Sequence, residues 1–214
     1  MLDFRDLRNR NSLPATKEEE DDRRAGNRTT SIYRPALIET EDFAGFCLIR
    51  NISPGGMMGS VYADFPAEQP VRVQFHPEYM IAGAIAWSQD KRIGIRFDAE
   101  IDVDQVLREL GSKEIAGKLN RAPRLPIHCE GELVIENRVL PMTLQDISQR
   151  GIKANVSSIY SGDEVVVRLN GLEPHKAIVR WTQGGAAGLN FIMPLGFEQL
   201  AEWVIRHQSK QAGN

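Results

Sequence analysis

The sequence predicts a mainly β protein with two tandem copies of one small β-barrel, each copy followed by a C-terminal helix. An internal repeat and a regular alternation of apolar and polar residues within each copy predict this fold. The chain has 214 residues, which suits two small domains. Its apolar fraction of 42% and charged fraction of 26% are those of an ordinary globular protein.

Four segments recur in the same order along the chain. Asn51-Ile-Ser-Pro-Gly-Gly56 resembles Asp146-Ile-Ser-Gln-Arg-Gly151, at an offset of 95 residues (146 − 51). Val71–Phe75, Ala84–Trp87 and Gly94–Phe97 resemble segments that begin 94 residues later, at Val165, Ile178 and Gly188. A one-residue difference in one loop reconciles the two offsets, so we interpret the pattern as a duplication.

Each copy carries strand signals and then a helix signal. In Val71–Phe75 every second residue is apolar, and Val165–Leu169 repeats the pattern, which is typical of half-buried strands. Apolar residues at helical spacing then follow in both copies: Val106, Leu107 and Leu110 in the first, and Leu200, Ala201, Val204 and Ile205 in the second. A helix with one apolar stripe can cover the open end of a barrel.

Composition shifts predict four segments. Residues 1–22 form a charged arm that includes the run Lys17–Asp22, and we expect it to be mobile or a solvated helix. The first barrel spans residues 23–111, a linker spans 112–120, and the second barrel spans 121–209. The linker is placed where glycines interrupt both the helix and the strand patterns.

Charge and motif content exclude several classes of function. The formal net charge of −3 disfavours bulk DNA or RNA binding. No long apolar run is present, so we expect a cytoplasmic protein without a membrane span. Cys47 and Cys129 are predicted to be free thiols rather than a disulfide. No metal-like histidine spacing, phosphate loop or nucleophile motif is present, so we expect no metal, no cofactor and no enzymatic activity.

The residues carry a family resemblance. Arg24-Ala-Gly-Asn-Arg28, a strand pair and then Asn51–Gly56 resemble the PilZ domain signature, RxxxR followed by (D/N)xSxxG. Each motif alone is weak, but their order and the repeat of the second motif make the combination specific. The resemblance spans about residues 23–110, and the second copy about 120–208. It implies a six-stranded antiparallel barrel that binds cyclic di-GMP, a bacterial second messenger.

The resemblance assigns Arg24 and Arg28 to the guanines and phosphates of that ligand, with Arg23 as a further contact. A guanidinium can donate two hydrogen bonds to guanine O6 and N7, pair with a phosphate, or stack on a base. The alternative is an exposed basic pair that balances the acidic run before it. If residues 18–22 mask the arginines in the empty state, neutralising these acids should tighten binding.

The second motif supplies further candidate contacts in the first copy. The Asn51 amide can donate to and accept from a base edge, and Ser53 adds a hydroxyl on the same side of the strand. Gly56 permits a positive φ or a close approach of backbone to ligand. The alternative is a plain turn, because these residue types favour turns.

The second copy departs from the signature, since Arg121 and Arg124 give only RxxR and Pro123 stiffens the segment. We therefore expect weak binding or none, with this degenerate barrel serving for packing or for a homodimer. The candidate residues of such a second site are Arg121, Arg124, Asp146, Ser148 and Gly151.

The predicted function is a cyclic di-GMP receptor that couples nucleotide binding to a conformational change or to binding of an unknown protein partner. One alternative is a protein-interaction module that binds no nucleotide. Another is a single-stranded nucleic-acid binder, which would need a basic face with exposed aromatic residues. Trp87 and Trp181 occupy equivalent strand positions and are predicted to lie in the core rather than to stack on bases.

Overall fold

The structure is a computed structural model, and it describes residues 29–76, 79–111, 114–115, 118–119 and 122–211. These residues form two closed six-stranded antiparallel barrels, each followed by a helix. The predicted fold class is therefore confirmed. A closed barrel pairs the backbone of every strand on both sides, so it leaves no open edge.

The first barrel has the strand order β1-β2-β3-β6-β5-β4, with β1 pairing to β4 to close the sheet. The strands are β1 (Thr30–Glu39), β2 (Ala44–Ser53), β3 (Gly56–Ser60), β4 (Pro70–His76), β5 (Tyr79–Gln89) and β6 (Arg92–Phe97). Helix α1 (Val103–Gly111) follows, and it buries Val106 and Leu110 against the barrel core. The predicted apolar stripe thus packs as expected.

The second barrel repeats this connectivity, in the order β9-β12-β13-β14-β11-β10 around the closed sheet. Its strands are β9 (Leu125–Ile135), β10 (Arg138–Ser148), β11 (Gly151–Asn155), β12 (Glu164–Leu169), β13 (His175–Gln183) and β14 (Ala186–Phe191). Helix α2 (Phe197–Gln211) follows. A short hairpin of β7 (Glu114–Ile115) and β8 (Lys118–Leu119) lies within the predicted linker.

Alternation along the strands builds the two cores. Val71, Val73 and Phe75 on β4 are all buried, and the intervening side chains point outwards. The same pattern holds for Val165 and Val167 on β12. Successive side chains of a strand point to opposite faces, so period-2 apolar patterning fills the inside of each barrel.

The two barrels share buried surface through α2. The core cluster of the second barrel includes Leu37 and Phe46 of the first barrel. The Phe197 ring contacts the rings of Phe46 and Tyr62, with centroids 6.4 and 6.3 Å apart. At the other end of the helix, Gln208 donates a hydrogen bond to the Ala44 carbonyl. Helix α2 therefore covers its own barrel and also joins the two barrels.

The described residues bear on the cysteines, on membrane spans and on metal sites. Cys47 and Cys129 are free thiols, as predicted. No helix in the described part of the chain is long and apolar enough to cross a membrane. Within the same residues, no cluster of three or more His, Cys, Asp or Glu side chains is placed to hold a metal ion.

Candidate functional site

The motif of the first copy forms the hairpin between β2 and β3. Ser53 pairs with Gly56 across a two-residue turn, and the Ser53 hydroxyl donates to the Gly56 carbonyl over 3.2 Å. Ser148 makes the same 3.2 Å bond to Gly151 in the second copy. The hydroxyls therefore brace the turn. The Ser148 oxygen also accepts a 3.3 Å hydrogen bond from the Arg150 amide.

The motif glycines are required by strand packing. Of the two roles that glycine permits at position 56, the positive φ is not used, because neither Gly56 nor Gly151 has a left-handed backbone. A Cβ at Gly56 would overlap the Ile95 carbonyl on β6, and one at Gly151 would overlap the Leu189 carbonyl on β14. The lack of a side chain at these glycines was expected to admit a ligand. In the structure it admits the backbone of the neighbouring strand.

The paired tryptophans lie on the outer surface, so the prediction that they are core residues is wrong. Trp87 is 43% exposed and Trp181 is 40% exposed. Each follows a register irregularity in its strand, which turns the side chain away from the barrel interior. Each indole lies against a glycine of the neighbouring strand, Gly94 or Gly188, where a Cβ would overlap the ring.

In the second copy, the basic residue Arg124 and the acidic motif residue Asp146 form an ion pair. Arg124 donates to the carboxylate of Asp146, and both side chains are partly buried, at 32% and 21% exposure. This ion pair joins the start of β9 to the end of β10. It also neutralises the acidic group that the motif presents at this position.

A cavity of about 730 Å³ lies between the two barrels, next to this ion pair. Its size is within the range of small-molecule sites. Four arginines line it, Arg34 from the first barrel and Arg124, Arg150 and Arg180 from the second, with Trp181 beside them. Among the described residues that line it, none is acidic. Guanidinium groups beside an exposed indole suit a ligand that combines phosphates with aromatic bases.

Several of these lining residues were not predicted from sequence. Arg150 lies within the repeated motif, between Ser148 and Gly151, so its position was a usable signal. Arg180 precedes Trp181, and the repeat places Ala86 at the equivalent position of the first copy. Arg34 carried no signal, because only the packing of one barrel on the other brings it to this cavity.

The predicted arginines of the arm, Arg23, Arg24 and Arg28, lie outside the described residues, and so does Arg121. The strand register shows which residues upstream of the motif are equivalent in the two copies. Asn51 pairs with Ser31, while Asp146 pairs with Pro126. The residue equivalent to Arg124 is therefore Thr29, one position after Arg28. Asn51 and Ser53 lie at the end of β2, in the wall of the first barrel.

By its fold, the chain is a protein with two tandem, closed six-stranded antiparallel β-barrels. Residues 22–112 match the family model described as PilZ domain. The first barrel therefore lies within a stretch that matches the PilZ domain model. This confirms the resemblance that the arginine pair and the Asn51–Gly56 motif carry.

Solved structures similar to this chain include three bacterial proteins. The PlzA protein of Borreliella burgdorferi in complex with c-di-GMP is 11% identical, with 86% of this chain and 97% of that chain covered and a TM-score of 0.36. YcgR of Escherichia coli in complex with c-di-GMP is 10% identical, with 91% and 88% covered and a TM-score of 0.35. The inhibitor of motility MotI of Bacillus subtilis is 16% identical, with 85% and 99% covered and a TM-score of 0.32. A comparison with curated protein sequences found no significant match.

Proposed function

We propose that this protein is a cyclic di-GMP receptor and not an enzyme, and that it responds to the nucleotide by changing the arrangement of its two barrels. One observation carries the proposal. The repeated motif of a PilZ-family chain adjoins a cavity that contains four arginines and an exposed tryptophan. Because both barrels contribute to its lining, a ligand in this cavity would contact both at once.

In the first copy, we assign the ligand to the wall that carries Asn51, Ser53 and Gly56. Arg24 and Arg28 would close over it from the arm, with Arg23 as a further contact. Trp87 extends this wall, since it lies beside Gly94 and is 43% exposed. A base stacked on the indole would keep its edge free for hydrogen bonds to an arginine or to the Asn51 amide.

In the second copy, we assign a second site to the cavity. Arg150 and Arg180 add two cations that the first copy lacks at the equivalent positions. They compensate for the departure of Arg121 and Arg124 from the RxxxR spacing. Ser148 and Gly151 form the turn that carries Arg150, and Asp146 restrains Arg124 through their ion pair. Weak binding at this site, as expected from the sequence, would follow from that ion pair.

A protein-interaction module without nucleotide binding is the second candidate function. The internal bonds of the motif favour it, because Ser53, Ser148 and Asp146 each already have a partner within the chain. In that case the cavity would be a by-product of barrel packing. A protein partner, a homodimer through the second barrel and the cytoplasmic location all stay predictions.

Isothermal titration calorimetry of the full chain with cyclic di-GMP tests the proposal, because it reports affinity and stoichiometry together. We expect saturable binding, with the Arg150→Ala variant losing the second-copy component only. Glu132→Gln, on the outer surface of the same barrel, serves as the control. No heat of binding over a concentration range up to about 1 mM, which excludes affinities tighter than about −4 kcal/mol, would favour the interaction module.

A further inference from the structure

The turn between β5 and β6 has an unusual backbone for its sequence. Asp90 and Lys91 both have a left-handed conformation, with φ of 52° and 58°. The equivalent turn of the second barrel has Gly184 and Gly185, with φ of 59° and 79°. A left-handed backbone is sterically unfavourable for residues with a Cβ atom, whereas glycine adopts it without this cost. The first copy thus retains a lysine where the second copy has the residue that the turn prefers.

The Lys91 side chain reaches from the first barrel to the helix of the second. Its ammonium lies 3.4 Å from a carboxylate oxygen of Glu198 and 3.6 Å from one of Glu202, which are one turn apart on α2. It also lies 5.1 Å from the centroid of the Tyr62 ring. The hydrogen bond to Glu198 raises the pKa of Lys91, so the side chain stays charged at neutral pH.

The backbone holds this lysine in place. The carbonyl of Lys91 accepts a hydrogen bond of 2.9 Å from the Val61 amide, which ties the turn to the end of β3. Tyr62, the next residue, packs its ring against Phe197 at the start of α2. The charged contact and the aromatic contact therefore meet the same end of the helix.

This contact lies on the same inter-barrel surface as the cavity. On β1, Leu37 is buried against the second barrel, and Arg34 and Pro35 line the cavity a short distance along the strand. Phe46 pairs with Leu37 and contacts Phe197. A shift of α2 relative to the first barrel would therefore change where Arg34 lies relative to the arginines of the second.

We propose that Lys91 is a positioning residue that clamps α2 and so sets the spacing of the two barrels and the width of the cavity between them. It acts through Glu198 and Glu202, and it touches no ligand. Exposed ion pairs add little to overall stability. These ion pairs, however, lie beside the aromatic contacts of Phe197 with Phe46 and Tyr62, so they act on the orientation of α2 at the contact between the barrels. The effect on nucleotide binding rests on the proposed function, whereas the effect on barrel spacing does not.

Small-angle X-ray scattering of the full chain tests the clamp. We expect Lys91→Glu to increase the radius of gyration, Lys91→Arg to preserve it, and the charge swap of Lys91→Glu with Glu198→Lys and Glu202→Lys to restore it. Raising the salt concentration from about 0.01 M to about 1 M, which shortens the Debye length from about 30 to 3 Å, should expand the wild type and contract Lys91→Glu, because salt screens the attraction in the first and the repulsion in the second.

Two glycine variants separate positioning from a merely structural role. Asp90→Gly and Lys91→Gly each replace a left-handed residue with glycine, which adopts this conformation without strain. Both variants should therefore raise the melting temperature of the protein or leave it unchanged. Only Lys91→Gly should increase the radius of gyration. Equal radii for Lys91→Gly, Lys91→Glu and the wild type at low salt would overturn the proposal.

Cyclic di-GMP titration then connects the clamp to the cavity. We expect Lys91→Glu to weaken binding at the second-copy site about fivefold, at the lower end of typical coupling between sites, with the charge swap restoring it. If the wild type binds no nucleotide, the proposed function fails while the scattering result still decides the clamp. If the wild type binds the nucleotide but the radii of gyration of the wild type and the Lys91 variants do not differ, only the clamp proposal is contradicted.

Discussion

The indole of Trp181 lies against the backbone of Gly188, so closely that a methyl group on residue 188 would overlap Nε1 of the ring. Trp87 and Gly94 have the same relationship in the first barrel. In each copy a glycine thus forms a shallow seat that holds an aromatic ring on the outer surface. The duplication has preserved the seat together with its ring, next to the repeated motif.

Gly188→Ala should displace the indole and destabilise the second barrel. Overpacking of a closely packed contact costs about 1–3 kcal/mol, and we expect a loss in this range in urea unfolding. Trp181 fluorescence should change as well. Gly55→Ala is the matched control, because a Cβ there would have no neighbour within 4 Å. Similar unfolding midpoints for the two variants would show that the seat is not tightly packed.

Arg28→Ala should weaken cyclic di-GMP binding by about 1–3 kcal/mol, or roughly ten- to a hundredfold, if the arginine makes a bidentate guanine contact. Arg124→Ala should weaken it far less, because Asp146 already engages that guanidinium. Calorimetry with each variant provides the comparison. Equal losses for both would mean that the assignment of the main site to the first copy is wrong.

Asp146→Asn should strengthen binding at the second-copy site. The substitution removes the charge that neutralises Arg124, so this guanidinium becomes available to a phosphate in the cavity. We expect a severalfold increase in affinity, together with a stability loss of up to about 3 kcal/mol, because the partly buried Arg124 loses its charged partner. Glu132→Gln removes an exposed partner of Arg168, 3.8 Å away, and should change neither quantity. Weaker nucleotide binding by Asp146→Asn would assign the carboxylate itself to the ligand.

Stability should fall at alkaline pH because of Cys47. Burial raises the pKa of this thiol from 9.0 to about 12. The folded state therefore holds a proton that the unfolded state releases above pH 9, so the free energy of unfolding declines as the pH rises from about 9 towards 12. Cys47→Ala should show a flatter alkaline decline in denaturant unfolding. Rapid labelling of Cys47 by a thiol reagent in the native protein at pH 8 would contradict this protonation state.

The repeat and the strand pattern were sufficient to predict both barrels and both helices. They could do so because inward and outward residues alternate with a fixed period, which is visible at positions such as Val71 and Val165. The same reasoning failed for Trp87 and Trp181. A bulge before each of them reverses the face that the pattern assigns, and nothing in the local sequence marks that bulge.

The domain boundaries at residues 23–111 and 121–209 stay a prediction. The two cores are less separate than these boundaries imply, since Leu37 and Phe46 pack into the core of the other barrel. A truncated first barrel would expose both side chains to water. Their pairing across β1 and β2 was visible only once the register was known.

The sequence by itself determined the duplication, the barrel fold and the resemblance of the first barrel to the PilZ domain, because these depend on local periodicity and on motif residues a few positions apart. Tertiary structure decided the inter-barrel cavity and the reach of Lys91 to α2. Arg34 lies 90 residues from Arg124 (124 − 34), 116 from Arg150 (150 − 34) and 146 from Arg180 (180 − 34), and only the docking of two curved surfaces brings them together. Such a docking depends on the shapes of both barrels at once, and no short stretch of chain encodes it.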